Sequence, residues 1–214
     1  VLGAIQLGCM YVFYYQSFLL LSIPEVLIFT ILTPVYVTLI FDLSQGRFSF
    51  RYLVTALIAV LGAAIIRYNS IGSEIFTGFL VVQGANIYFA LGQVGYKVLL
   101  EREKLDLPQR AIFGYFYLGA LTITIITWLL FGNPAKLPTT SLQWEILLYL
   151  GLIASGLGYF FWNKGATKVD AGTLAIMNNA LVPAGLLVNL LIWNRDANLT
   201  RLCIGGVVLL FSLL

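Results

Sequence analysis

The sequence predicts an all-α membrane protein, a polytopic helical bundle with inverted repeats, and three observations carry that expectation. Hydrophobic residues make up 60% of the chain and charged residues only 10%. A soluble domain carries about 25% charged residues, so this much apolar surface could not be hidden in water. Charges and prolines divide the chain into eight apolar segments, most of them long enough to cross a bilayer, which takes roughly twenty residues. Third, the chain reads as one unit written twice. The windows Gly3–Phe13 and Gly151–Phe161 match at Gly3/Gly151, Ile5/Ile153, Gly8/Gly156, Tyr11/Tyr159 and Phe13/Phe161. With a one-residue shift the match reaches Pro34/Pro183. Five segments separate equivalent positions, and an odd number of crossings turns the second copy upside down relative to the first.

The segments are expected at 2–22, 24–42, 51–67, 75–99, 111–132, 143–164, 171–193 and 201–214. The fifth and seventh are free of charge throughout. The second and third are shorter between charges, and Arg51 and Arg67 can snorkel from the two ends of the third. A β-barrel would show ten-residue strands of alternating polarity, whereas these runs are apolar on all sides, which favours helices. The repeat divides the chain into 1–68, the last three helices of a first repeat, and 75–214, five helices of a second, joined by the 68–74 loop. Completing the first repeat requires two more helices before Val1, so eight of ten transmembrane helices are expected here. The chain is read as a fragment that lacks sequence before Val1 and a short piece after Leu214.

Orientation follows from lysine and arginine. One set of loops holds Arg67, Lys136, Arg195 and Arg201. The other holds Arg47, Arg51, Lys97, Arg102, Lys104, Arg110, Lys164 and Lys168, and this excess places it in the cytoplasm. The first helix then runs outward and the sixth, its repeat partner, inward.

Several classes of function are excluded. Histidine is absent, and Cys9 and Cys203 fall inside apolar runs, so no disulfide framework, metal site or cofactor is expected. No nucleophile–base pair or pair of buried carboxylates is visible, so no catalytic residue is assigned and the chain is not read as an enzyme. The net charge of +3 is small and sits in loops, which gives nucleic acid no support as a partner. The expected partners are membrane lipid and a small-molecule substrate. Glu25, Asp42, Glu145 and Asp170 all lie near helix ends, so no proton- or ion-coupling residue can be named.

The fourth helix carries Gln83, Asn86, Ala90, Gln93 and Lys97, whose spacing puts them on one face. Amides on a spanning helix cannot face lipid cheaply, so they meet another helix or water. Interhelical hydrogen bonding is one reading, a hydrated cavity the other. A line of amides suits a path better than a single contact does. The first helix adds Tyr11 and Tyr15, and its partner adds Tyr159, Trp162 and Asn163. The seventh adds Asn178 and Asn179, which point about 100° apart, so that one faces the cavity and the other packs. Lys164 reads as an interface anchor. Gly151 with Ser155, or Ala154 with Gly158, would let a neighbouring helix approach closely. Pro34 and Pro183 would place matching kinks, with or without a role in function.

The stretch GLIASGLGYFFWNKGATKVDAGTLAIMNNALVPAGLLVNLLIW resembles the second EamA domain of the drug/metabolite transporter superfamily. It is most similar to the subgroup of carboxylate, amino acid and amine transporters. The run YYQSFLLLSIPEVLIFTILTPVYVTLIF, followed by ALIAVLGAAII, looks like the corresponding part of the first EamA domain. The first copy departs from the second where Ser-Ile-Pro-Glu replaces Val-Asp-Ala-Gly. The resemblance implies a ten-helix transporter of the bacterial inner membrane, with a central cavity lined by both repeats. It further implies export of amino acids or related amines and carboxylates by alternating access. A nucleotide-sugar or lipid-linked sugar carrier of the same superfamily is the alternative within transport, and a membrane scaffold the alternative outside it.

Overall fold

The computed structural model describes residues 1–67, 76–103, 107–192 and 199–211. The 68–74 loop, Lys104 and Arg195 lie outside the described residues. The described chain is helical and without strands. Helix α1 spans 4–17, α2 spans 23–44, α3 is Phe50–Arg67 and α4 is Phe76–Arg102. Helix α5 is Gln109–Phe131, α6 is Ser141–Ala166, α7 spans 171–192 and α8 is Leu199–Phe211.

Local chemistry sets the ends. The first segment, expected to reach residue 22, stops at Ser17, and tight bonds from Leu19 and Leu20 to the carbonyls of Gln16 and Ser17 turn the chain. The stop comes early because Ser22 and Glu25 form a capping box that starts α2, with Pro24 in its first turn. Glu25 accepts from both the backbone N–H and the hydroxyl of Ser22, at 2.7 Å each. Thr140 and Gln143 form a second such box at the start of α6.

Asp170 caps α7, accepting from the Thr173 N–H at 3.0 Å and its hydroxyl at 2.6 Å. Partial burial raises the Asp170 pKa, but these hydrogen bonds outweigh it and hold the carboxyl below its ordinary value. Asp170→Ala is expected to lower stability by about 1 kcal/mol in thermal unfolding. Because the folded pKa is depressed, the charge contribution is full above the ordinary carboxylate range and fades as pH falls through the lowered value.

Two helices break where proline requires it. Pro34 has no N–H to give the Thr30 carbonyl, and the turn before it, Thr30–Leu32, tightens into a 3₁₀ helix. Helix α7 is interrupted at Ala180, three residues before Pro183, where the Ala180 N–H bonds the Met177 carbonyl. Two other stretches widen into π-helix, Ala4–Cys9 in α1 and Tyr149–Leu157 in α6. These fall at matching places in the two similar windows.

Contacts set the direction of each helix. Along α4, Gly95, Gly92, Gly84 and Gly78 lie against Leu2, Gln6, Phe13 and Leu21, so α1 and α4 are antiparallel. Helices α2 and α4 are parallel, with Phe29 on Phe79, Thr33 on Asn86 and Ser44 on Arg102. Phe89 meets Tyr159 and Lys97 meets Ala166, so α6 is parallel to α4. Lys97 also meets Val169 while Gln93 meets Asn178, so α7 is antiparallel to it. Helices α1 and α6 therefore run in opposite senses, and so do α2 and α7.

Helix α4 stands at the centre. One apolar cluster joins Val37 and Phe41 of α2, Ala90 and Val94 of α4, and Leu174 and Ala175 of α7. Another joins Leu7 and Met10 of α1, Ala85 and Tyr96 of α4, and Phe113 and Phe116 of α5. The outer surface stays apolar, as on α5 at Leu118, Leu121, Ile125 and Leu129. Among the described residues, Glu25–Ser44, Gln109–Phe131 and Ser141–Ala166 are long and apolar enough to cross a membrane. The close approach expected at Gly151 or Gly158 is not made by any described neighbour, because that part of α6 is exposed.

Candidate substrate path between the helices

The amide stripe on α4 divides into two parts. Gln83 and Asn86 are buried against the break in α2. There the Thr33 N–H bonds the Thr30 carbonyl, so the Phe29 carbonyl loses its usual helical partner. It accepts instead from Asn86 Nδ2 at 2.9 Å and Gln83 Nε2 at 3.2 Å. Gln83 Oε1 accepts from Asn86 Nδ2 at 3.0 Å and from the Tyr36 hydroxyl at 3.1 Å. The Thr33 hydroxyl donates to the Thr30 carbonyl at 2.6 Å and to Asn86 Oδ1 at 3.3 Å. Asn179 of α7 donates to the Ile31 carbonyl in the same break at 3.1 Å. These three amides hold α4 and α7 onto an opened stretch of α2 backbone.

Farther along α4 the polar groups are not all paired. Gln93 Oε1 accepts from Asn178 Nδ2 at 3.2 Å, and that nitrogen also bonds the Leu174 carbonyl at 2.9 Å. Gln93 Nε2, although buried, has no hydrogen-bond partner among the described residues. The same holds for both side-chain polar atoms of Gln6, for Asn163 Oδ1 and for the Trp162 indole N–H. Asn163 Nδ2 donates to the Tyr159 carbonyl at 3.0 Å. Gln6, Gln93 and Asn163 are each fully buried.

Register puts these groups at one level. Gln6 lies directly against Gly92, next to Gln93. On the parallel pair, Phe89 meets Tyr159, and four residues further come Gln93 on α4 and Asn163 on α6. Helices α1, α4, α6 and α7 thus each bring an amide to this level. A buried amide without a partner costs about 1–3 kcal/mol, so such a set marks a place where the fold gives up stability.

Tyrosines form the adjoining layer. Tyr11 stacks on Tyr15 at 5.3 Å and meets Tyr159 edge-on at 6.0 Å. Its hydroxyl bonds Ser155 Oγ at 2.6 Å, inside the π-helical stretch of α6. Wide turns free backbone carbonyls, and the Tyr117 hydroxyl donates to those of Ser155, at 3.1 Å, and Gly156. Tyr11→Phe is expected to cost about 0.5–1.5 kcal/mol in thermal unfolding, since it removes one hydroxyl bond and keeps the rings.

Cations are spent elsewhere. Lys97 is buried one turn beyond Gln93, where it donates to the carbonyls of Val169 at 2.5 Å and Ala166 at 3.2 Å and pairs with Glu101 at 2.7 Å. It closes the C-terminal end of α6, as a cation there should. Lys164 sits over the Phe160 ring at 5.8 Å. Asp42, expected only as a helix-end charge, is buried and accepts from the Ser49 N–H at 2.6 Å, tying the turn after α2. Among the described residues, no group of three metal-binding side chains occurs.

Sequence reasoning passed over Gln6. Its signal was a single amide in an otherwise apolar run, five residues before Tyr11 and ten before Gln16, with no periodic partner to point at it.

Comparison with known proteins adds identity to this geometry. Residues 76–214 match the EamA-like transporter family. The chain is 57% identical over 211 residues to a protein of Pseudomonas aeruginosa described as a probable biotin transporter, covering 99% of this chain and 74% of the relative. It is 52% identical over 212 residues to the biotin transporter of Escherichia coli K12, covering 99% and 70%. The biotin transporter of Salmonella typhimurium matches at the same identity and coverage. A solved crystal structure superposes with a TM-score of 0.76 at 17% identity, covering 98% of this chain and 73% of the other, and shows the fold alone. The chain is an integral membrane protein and belongs to the EamA-like transporter family.

Proposed function

We propose that this protein carries biotin across the bacterial inner membrane by alternating access. The observation that carries this reading is the extent of its likeness to proteins named biotin transporters, which runs over 99% of the chain at 52% identity or more. The expectation of amino acids and amines as substrates, and of their export, finds no support in those relatives.

The site chemistry fits the proposal. Biotin has a neutral cyclic urea, an apolar sulfur-containing ring and an ionised tail. Tyr11, Tyr15 and Tyr159 offer flat aromatic surface for the ring. Gln93, Asn163 and Asn178, with Trp162 beside them, offer amide and indole groups for the polar parts. Gln83, Asn86 and Asn179 serve the path indirectly, by holding its walls at the α2 break. The opposed senses of α1 and α6, and of α2 and α7, support an inverted pair of repeats at 1–68 and 75–214. The π-helical stretches at matching positions in α1 and α6 add to that support. Superposition after a rotation of about 180° around an axis in the membrane plane is the corresponding expectation.

Growth tests the proposal. The full-length protein, expressed in a biotin auxotroph that lacks its own carrier, should restore growth at limiting biotin. Failure to do so, with the protein present in the membrane, would reject the substrate.

A further inference from the structure

We infer that Gln6, Gln93 and Asn163 form a neutral subsite that reads the cyclic urea of the solute, leaving its ionised tail to lie away from this level. The inference rests on the biotin reading and names which end of the molecule sits where.

The unpartnered atoms form a complementary set. A cyclic urea has one carbonyl that accepts two hydrogen bonds and two N–H groups that each donate one. The buried atoms free to meet it are two amide donors, Gln93 Nε2 and Gln6 Nε2, and two acceptors, Gln6 Oε1 and Asn163 Oδ1. Their other atoms are committed. Gln93 Oε1 holds Asn178, and Asn163 Nδ2 holds the Tyr159 carbonyl, so these two side chains are fixed in orientation. Gln6 lies flat against Gly92, where a Cβ would come within 2.1 Å of the Gln6 Cβ. The glycine is what lets this amide reach the level of Gln93.

Charge argues against a carboxylate here. Among the described residues, the cations nearest this end of the site along α4 and α6 are Lys97 and Lys164. Lys97 is held by two carbonyls and Glu101, and Lys164 lies over Phe160. A buried carboxylate without a cation would be costly, whereas a urea needs only hydrogen bonds. Tyr159 and Tyr11, one turn along, would then meet the apolar ring next to the urea.

The test uses full-length protein in proteoliposomes, labelled biotin and two analogues. Desthiobiotin keeps the cyclic urea and should compete within about threefold of biotin. 2-Iminobiotin replaces the urea carbonyl with a protonated imine, which presents donors to the donors of Gln6 and Gln93. It should compete at least about 10-fold more weakly. Gln6→Met should raise KM for biotin by about 10-fold or more while the ligand-free protein melts at the same or a higher temperature, because the change removes two buried atoms without partners. A merely structural Gln6 would give lower thermal stability with unchanged KM. Equal competition by 2-iminobiotin, measured on wild-type protein, overturns the subsite whatever the variant does. Wild-type protein that takes up no biotin overturns the parent reading, and the named occupant with it.

Discussion

Gly92→Val should leave no folded, transport-competent protein. A Cβ at residue 92 would lie 2.1 Å from the Cβ and 2.7 Å from the Cα of Gln6. The obstacle is thus the start of the Gln6 side chain and its backbone, not a flexible tip that could swing aside. Either α1 moves off α4 or the turn unwinds. Overpacking a buried contact costs about 1–3 kcal/mol, and more where backbone blocks relief. Here the shift would also part α1 from Gly84 and Gly95, which receive Phe13 and Leu2 on the same helix face. Elution as a single sharp species in detergent should be lost. Gly114→Ala is the control, because a Cβ there meets nothing within 4 Å. It should be neutral or slightly stabilising, by up to about 1 kcal/mol.

The double change Gln83→Leu with Asn86→Leu should be nearly as damaging, through hydrogen bonding instead of bulk. Either single variant leaves the Phe29 carbonyl one amide donor. The pair leaves it no amide donor, in a buried position where the 3₁₀ turn has already diverted its helical partner. A stranded buried carbonyl costs about 1–3 kcal/mol. The Tyr36 hydroxyl also loses its acceptor. Thermal melting should show the double variant well below either single one, and biotin uptake per folded molecule should fall with it. If the double variant melts like wild type, the α2 break is not held by these amides.

The fold was largely readable because lipid imposes simple rules. Each apolar run had to become a helix, and the described residues are helical and without strands. Boundaries were less readable where short-range chemistry overrode hydropathy. Phe18–Leu21 is as apolar as the helix before it, yet Ser22 and Glu25 take the chain into α2. The roles of the α4 amides were only partly legible. Spacing alone put Gln83, Asn86 and Gln93 on one face, but not that Pro34 would open the α2 backbone opposite the first two. Asn178 and Asn179 turned out to separate as adjacent helical residues must, one toward Gln93 and the other toward Ile31. Gln6 was invisible for a different reason. Its importance comes from lacking partners, and only packing shows that.

The substrate was the least legible part. Amides and aromatics without a free cation describe many neutral or zwitterionic heads equally well. The most direct measurement is therefore counterflow with purified full-length protein in liposomes. Vesicles loaded with unlabelled biotin should transiently accumulate labelled biotin, and those loaded with leucine or putrescine should not. Biotin-loaded vesicles that trap no label, beside amino-acid-loaded vesicles that do, would contradict the account.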